Sequence, residues 1–577
     1  MKISSTTITL LLCCHLGIQA QSIVNYAPQL PVRTMAEWEE EQAIAISWDK
    51  GFSGILTEIV RNAQKEVDVI IVCSDSTFLQ HAKSRLSASQ IDLSQRIRFY
   101  VRKTNSIWIR DYGPNTVYYN DVDSLAFVDW RYNRTSRTSD DVVSEGIAGL
   151  LKKSVFKTIS GNEDLVNTGG NFMSDGMGTA FASKLVYDEN QGKPSANSPF
   201  ATYKSPEKVD SIFQKYMGIQ KFITMNTLPY DGIHHIDMHM KLLDEETLLV
   251  GQYPDGISDG PQIEANIQFV LSKFRTPYGN PYQIIRIPMP ADASGKYPSQ
   301  NGIYRTYTNA VFVNKTVLLP TYEQKYDSTA LKIWRKALPG HKIVGINCNA
   351  IIPQSGAIHC ITKEIGVDEP LLINHSRIRF YLKGNPDNPG YALKIIAQIK
   401  HRSGISEATV YFRRQNESTW NSISMLAGSN PTEWVGVIPD EELALSDSIY
   451  YYISAKANNG KQMNRPISGE NGAWEIWTPF YVSVKDVDHE PKIEISKVYP
   501  NPAAAITCIE INSENSVAST LQLFDINGRL VREIFSGDLS SGLQRFFCNA
   551  ADFQAGVYLL LLKSKGKQSL SRLIISN

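Results

Sequence analysis

Gly54-Ile-Leu-Thr-Glu-Ile-Val-Arg-Asn-Ala63 leads almost directly into Val67-Asp-Val-Ile-Ile-Val-Cys73. In the first stretch Ile55, Leu56, Ile59, Val60 and Ala63 recur at helical spacing; the second is a short β-branched apolar run, the length of a buried strand. A helix feeding a buried strand is the repeating unit of an α/β fold. The alternation continues outward. Ile97–Val101 and Ser124–Trp130 read as strands, Lys208–Met217 as a helix opening at Lys208, and Ala310–Pro320 as a hairpin turning at Asn314-Lys315. A helix over Thr329–Leu338 ends at Pro339-Gly340 and leads into a strand over Lys342–Asn347. Residues 21–368 are thus expected to form a mixed α/β domain of catalytic size.

The texture changes after about residue 370. Leu393–Lys400, Ala408–Arg413, Glu433–Ile438 and Ser448–Ala455 are short alternating strands separated by turn signals such as Asn458-Asn-Gly460. That spacing suits a β-sandwich of immunoglobulin type over 369–485. The charged run Lys485-Asp-Val-Asp-His-Glu-Pro491 falls in a linker spanning 486–494, and a small all-β unit follows over 495–577.

At 577 residues the chain exceeds one hydrophobic core. Lys+Arg and Asp+Glu are equal at 58 each, so no net field attracts nucleic acid or an anionic membrane. Lys2, the apolar run Ile8–Ile18 and Ile18-Gln-Ala20 read as an export signal over 1–20, too short to span a bilayer. Leu12 before Cys13 is too large for a lipid-anchor site. Removing the signal leaves Cys73, Cys348, Cys360, Cys508 and Cys548, too few for a disulfide scaffold in an exported protein. Cys73 lies in a core strand, and Cys508 and Cys548 could pair. Cys360 is then a leftover thiol in polar company, which makes it a candidate for reactivity.

Three segments carry the chemistry: Trp108-Ile-Arg-Asp111, His234-His235-Ile-Asp237 and Ser355-Gly-Ala-Ile-His359-Cys360. A nucleophile, an acid–base group and two carboxylates suit attack on a planar, permanently charged guanidinium. Paired carboxylates hold its N–H groups in a fork, a thiolate adds to its carbon, and an imidazolium protonates the departing ammonia. Asp111 and Asp237 are the candidate carboxylates, His235 the acid–base group and Cys360 the nucleophile. His234-His235-Ile-Asp237-Met-His239 also invites a metal reading, since on a strand residues 235, 237 and 239 share a face. No second His/Cys cluster with ligand spacing accompanies it. His359 either orients Cys360 or simply flanks it; neighbours on a strand face opposite ways, which makes it a poor acid–base partner for the thiol.

The matching stretches Trp108–Pro114, Thr168-Gly-Gly-Asn-Phe-Met-Ser-Asp-Gly176, His235-Ile-Asp237, Tyr307-Thr-Asn309 and Ile358-His-Cys360 resemble the guanidine-modifying superfamily. The branch concerned contains agmatine deiminases and Porphyromonas-type peptidylarginine deiminases. The resemblance implies a five-bladed α/β propeller with its site on the central axis and no metal or organic cofactor. It implies the roles given above for Cys360, His235, Asp111 and Asp237, with Trp108 and Asn309 in the pocket. It also bears on the substrate. Agmatine ends in an amine, whereas arginine, free or at a peptide C-terminus, ends in a carboxylate that needs cations. Arg131-Tyr-Asn-Arg134-Thr-Ser-Arg137 resembles the peptidylarginine branch, with Arg134 matching a carboxylate binder and Arg137 displaced by one residue from the second arginine. Thr168 stands where agmatine deiminases usually carry Glu.

The last unit, with Tyr499-Pro-Asn-Pro502, Phe524-Asp-Ile-Asn-Gly-Arg529 and Gly556-Val-Tyr558, resembles the C-terminal sorting domain of type IX secretion. Secretion machinery and arginine-containing peptides or small guanidino compounds are the partners so implied. The expected activity is an exported cysteine-dependent deiminase producing citrulline and ammonia. The alternatives are an agmatine deiminase giving N-carbamoylputrescine and a catalytically silent arginine-peptide-binding surface protein.

Overall fold

The computed structural model describes residues 23–576 apart from 160, 193–201, 382–392, 440–441, 444–447, 479–492 and 565–566. The expected signal segment with Cys13 and Cys14, and the charged run ending at Pro491, lie outside the described residues.

The helix and strand that decide the fold class are present, as Ser53–Ala63 and Asp68–Cys73. Ile55, Leu56, Ile59, Val60 and Ala63 are all buried, because the 3.6-residue period turns them onto one face against the sheet. The strand pairs in parallel with Glu41–Ser47 on one side and Ile97–Val101 on the other. The helix expected to open at Lys208 begins earlier, at Pro206: the Ser205 side chain caps it, Pro206 occupies the first turn, and Gly218 ends it in the left-handed conformation.

Residues 32–366 build five sheets, and one unit recurs in them: a short strand, an antiparallel strand, a crossover and a parallel strand. Met173–Ser174, Thr179–Ser183 and Lys221–Met225 form one such sheet. Met240–Leu242, Thr247–Gln252 and Gln283–Pro288 form the next, and Val311–Val313, Thr316–Thr321 and Lys342–Asn347 another. Asn115–Tyr119, Leu125–Tyr132 and Val155–Thr158 form the core of a larger sheet. In the remaining sheet the short strand comes from the far end: Lys363–Gly366 lies antiparallel to Glu41–Ser47. The last strand of the region thereby completes the sheet begun by the first helix–strand unit. A helical turn or tight loop precedes each short strand, at Ile109–Tyr112, Gly169–Asn171, Ile236–Met238, Thr308-Asn309 and His359–Ile361.

The C-terminal part is all-β. Leu372–Asn374, Leu393–Lys400, Glu433–Ile438 and Leu426–Ala427 form one sheet, and Ile405–Arg414 and Ser448–Ala457 centre a second. Ile395, Val410, Ile438, Tyr451 and Ile453 are buried in one cluster with residues of both sheets. Two further sheets over 493–575 enclose Ile509, Ile511, Leu521, Leu523, Leu560 and Leu562. Ile493 and Glu494, read from sequence as linker, already belong to the strand Ile493–Tyr499. Cys508 and Cys548 are free thiols. Cys508 pairs across the ladder with Phe547, and Cys548 with Thr507. Cys508 and Cys548 therefore point to opposite faces of their sheet, so the pairing entertained from sequence does not form. Among the described residues no helix is long and apolar enough to cross a membrane.

Candidate active site

The five turns meet in a ring. Arg110 Nε donates to His359 O at 3.2 Å, and the His359 amide donates to Asn309 O at 3.2 Å. Thr308 Oγ1 donates to Asp237 O at 2.9 Å, and the Gly170 amide donates to Asp111 Oδ1 at 3.2 Å. Gly170 is required by close approach: a Cβ there would lie 2.5 Å from His235 Nδ1, 3.2 Å from Asp237 Oδ2 and 3.3 Å from Asp111 Oδ1. Any side chain would fill the space the three groups share.

The turns replace two strand expectations. Ile236–Met238 is a 3₁₀ turn, so residues 235, 237 and 239 do not share a strand face. Among the described residues no group of three or more His, Cys, Asp or Glu could hold a metal. His359–Ile361 is likewise a 3₁₀ turn. His359 is therefore not simply turned away from the site. Its Nδ1 lies 2.7 Å from Asp237 Oδ2 and its Nε2 lies 2.9 Å from Glu37 Oε2.

Cys360 Sγ lies 3.1 Å from Asn309 Nδ2, which donates to it, and 3.6 Å from Asp237 Oδ2. Asn309 Oδ1 in turn accepts from the Ala357 amide at 3.1 Å, so one side chain orients the thiol and braces the loop that carries it. His235 Nε2 lies 3.0 Å from Thr168 Oγ1, and its Nδ1 lies 3.8 Å from Asp111 Oδ1. Cys360, His235 and Asp237 are each at most 3% exposed, and Asp111 9%. Charges this deeply withdrawn from water interact strongly.

The two carboxylates differ in consequence. Burial pushes Asp111 above the ordinary carboxyl range; His235 opposes the shift and the nearby Asp237 charge adds to it. Burial acts the same way on Asp237, but the hydrogen bond and charge of His359, with help from His235 and Arg110, overcome it and hold that carboxyl low. Burial, then the charges of Asp237 and Asp111, push the Cys360 thiol well above its usual value, with the Asn309 hydrogen bond opposing.

A cavity of about 380 Å³ opens over these groups, lined by Asp111, His235 and Cys360 together with Trp108, Tyr132, Arg134 and Arg137. Arg137 Nη1 donates to Tyr132 Oη at 2.9 Å. Asp237 and Asn309 lie below the lining and reach it through Cys360. All eight residues singled out from sequence thus gather here. Four others were not singled out. Thr168 was noted only as a departure from a pattern, His359 was set aside, and Glu37 and Gly170 carried no signal beyond the glycine pair.

A model of the Porphyromonas-type peptidyl-arginine deiminase family matches residues 33–365, and a model of the secretion system C-terminal sorting domain matches residues 497–576. A protein named "Putative agmatine deiminase" from Marinomonas sp. (strain MWYL1) is 26% identical over 369 residues, covering 58% of this chain and 94% of its own length. Another of that name from Lactococcus lactis subsp. lactis (strain IL1403) is 23% identical over 385 residues, covering 60% and 98%. Among solved structures, the agmatine deiminase of Enterococcus faecalis aligns with a TM-score of 0.51 at 20% identity, covering 60% of this chain and 99% of that one. A structure described as a "putative agmatine deiminase" aligns at 0.53 and 21% identity, covering 60% and 100%. At such identities these structures speak to the fold alone.

Proposed function

The chain belongs to the Porphyromonas-type peptidyl-arginine deiminase family, and we propose that it hydrolyses the guanidinium of arginine bearing a free carboxylate, chiefly at peptide C-termini, to citrulline and ammonia. Its sorting domain directs it through type IX secretion to the cell surface or extracellular space. The five sheets are read as blades of a propeller around the ring of turns, with an immunoglobulin-like sandwich between propeller and sorting domain.

Asp111 and Asp237 would hold the guanidinium N–H groups, with the unpartnered, buried Asp237 Oδ1 available for one of them. The substrate cation offsets the two charges that suppress thiol ionisation, so Cys360 becomes easier to deprotonate once substrate is bound. The thiol proton passes to His235 and the thiolate adds to the guanidinium carbon. His235 returns that proton to the departing nitrogen as the C–N bond breaks and ammonia leaves. Water then adds to the covalent thiouronium, giving its proton to His235; the C–S bond breaks and the ureido product leaves.

The observation that carries the substrate choice is the cavity lining. Arg134 and Arg137 share it with the reactive groups, and Asp111 is the single carboxylate among the described lining residues. An amine-terminated substrate would meet cations there, and a carboxylate would be held. The names of the relatives favour agmatine as a second reading, which yields N-carbamoylputrescine.

Ureido product formed from agmatine, free arginine and peptides with internal, terminal or amidated terminal arginine separates the two. Arg134→Ala is expected to lower kcat/KM on free-carboxylate peptides about 10²-fold, the worth of a charge-assisted contact, with little change on amidated ones. Preference for agmatine, or an equal loss on amidated peptides, overturns the assignment. No turnover of any guanidino compound by reduced protein supports the silent binding protein.

A further inference from the structure

A buried chain of charged groups runs from the thiol away from the cavity, and the reaction above does not use its far half. Lys241 Nζ contacts both Glu37 oxygens, at 2.7 and 2.8 Å. Glu37 Oε2 meets His359 Nε2 at 2.9 Å, and His359 Nδ1 meets Asp237 Oδ2 at 2.7 Å. That same Oδ2 lies 3.6 Å from Cys360 Sγ. The Lys241 and His359 side chains are at most 2% exposed, and Glu37's 15%.

A neutral imidazole carries one N–H and one lone pair, so it satisfies only one of two facing carboxylates. Burial would raise the Glu37 carboxyl, but Lys241 and His359 hold it well below the ordinary range. Asp237 is also held low. A carboxylate oxygen lies 2.7 Å from Nδ1 and another 2.9 Å from Nε2, so the two contacts are met together only when both ring nitrogens donate.

We propose that Glu37 is a positioning residue: through His359 it fixes the Asp237 carboxylate, turning Oδ2 inward and leaving Oδ1 toward the substrate's guanidinium. His359 is then a fixed bridge between the clamp and Glu37, distinct from the proton-carrying His235. The role deepens the deiminase reading and rests on it for its kinetic consequence, although the charge arrangement at the thiol does not depend on turnover. Other charged groups face the same chain. His235, Arg110 and Asp111 act on Asp237, and Asp237 acts on buried Asp231 and His239. Arg110, Glu364 and Glu41 surround Glu37 and Lys241. None of these meets a His359 ring nitrogen at hydrogen-bond distance; Glu37 does, on the side away from Asp237.

The test compares full-length wild type with Glu37→Gln, Glu37→Asp and His359→Gln. It measures kcat and KM on a peptide ending in arginine, and the pH profile of Cys360 alkylation by iodoacetamide, followed by mass spectrometry. Glu37→Gln replaces the carboxylate facing His359 Nε2 with an amide, so the ring is no longer fixed from that side. It is expected to lower kcat/KM about 10- to 100-fold, as for carboxylates that orient a functional histidine. It should also move the alkylation midpoint up by about one pH unit, since the Asp237 carboxylate 3.6 Å from the thiol loses its fixed donor. His359→Gln should reproduce the shift while leaving the Glu37–Lys241 pair intact, and it carries the test if Glu37→Gln fails to fold. Adding Glu37→Gln to His359→Gln should cost little more, because the two act in series. Glu37→Asp, keeping the charge, should recover most of the midpoint. An unchanged profile in both Gln variants, or additive losses, overturns the proposal. If wild type turns over no guanidino compound, the deiminase reading falls and the alkylation profile still decides the charge relay.

Discussion

At the scale of single residues, the opposite shifts of Asp111 and Asp237 matter most, because they decide when Cys360 ionises. Burial and then the charge of Asp237 are the largest causes raising the thiol. Asp237→Asn should therefore separate two properties that usually fall together. Loss of a guanidinium clamp is expected to cut turnover about 10³-fold, the scale for removing a preorganised electrostatic group. Alkylation of Cys360 near neutral pH should nevertheless become faster, because a negative charge 3.6 Å from the sulfur is gone. Iodoacetamide kinetics on the variant check this, and alkylation slowing in step with turnover would contradict it. Cys73 and Cys348, buried and with thiols also pushed up, serve as internal references.

At the scale of elements, the hairpin around Phe524-Asp-Ile-Asn-Gly-Arg529 fixes how the last unit sits. Gly528 has a φ of 76° and is buried. A Cβ there would run into Phe380 O, on the segment that follows the sandwich strand Leu372–Asn374 and bridges Trp477. Phe524 packs tilted against Phe380, with ring centroids 5.0 Å apart, and both join Trp477, Leu559 and Leu561 in one apolar cluster. Gln283 Nε2 also donates to Leu530 O at 2.8 Å, tying the hairpin to the catalytic part. Gly528→Ala forces a left-handed residue with a Cβ against backbone, and should cost more than about 2 kcal/mol at this docking surface. The expected result is an early, separate transition on heating and faster proteolytic release of the last unit, with turnover of a guanidino substrate unchanged. A single unshifted transition would show that the hairpin does not hold the unit.

At the scale of the whole molecule, buried acids set a pH window for stability. Asp231 is pushed up to about 8 by burial, with Asp259 and Asp237 adding, and Glu189 is pushed up to about 8 by burial. Between the ordinary carboxyl range and about 8 the folded state holds protons that the unfolded chain has released. Stability from these groups therefore falls as pH rises through that window. Glu37, Glu364 and Asp237 are held low, so their contribution is present above the ordinary range and lost as pH falls below it. From these groups, melting temperature should peak near the ordinary carboxyl range and decline on either side. Asp231→Asn, which keeps an acceptor for the Ile233 amide, should flatten the alkaline decline; an unchanged slope would remove Asp231 from the account. The sequence itself determined the α/β alternation, the all-β tail and the candidate residues Asp111, His235, Asp237 and Cys360, because hydrophobic period and residue chemistry are local properties; Trp108, Asn309, Arg134 and Arg137 were candidates only through the family resemblance. Thr168, Gly170, His359 and Glu37 were not legible in the same way: their roles come from five turns meeting across 250 residues of chain separation between Arg110 and Cys360. The five repeats share backbone geometry, but apart from the two aspartates the residues at their turns, Asp111, Gly170, Asp237, Asn309 and Cys360, differ chemically, so no repeat shows in the letters. Only the tertiary structure decided that a histidine beside the thiol turns to Asp237, because a 3₁₀ turn, unlike a strand, does not send neighbours to opposite faces.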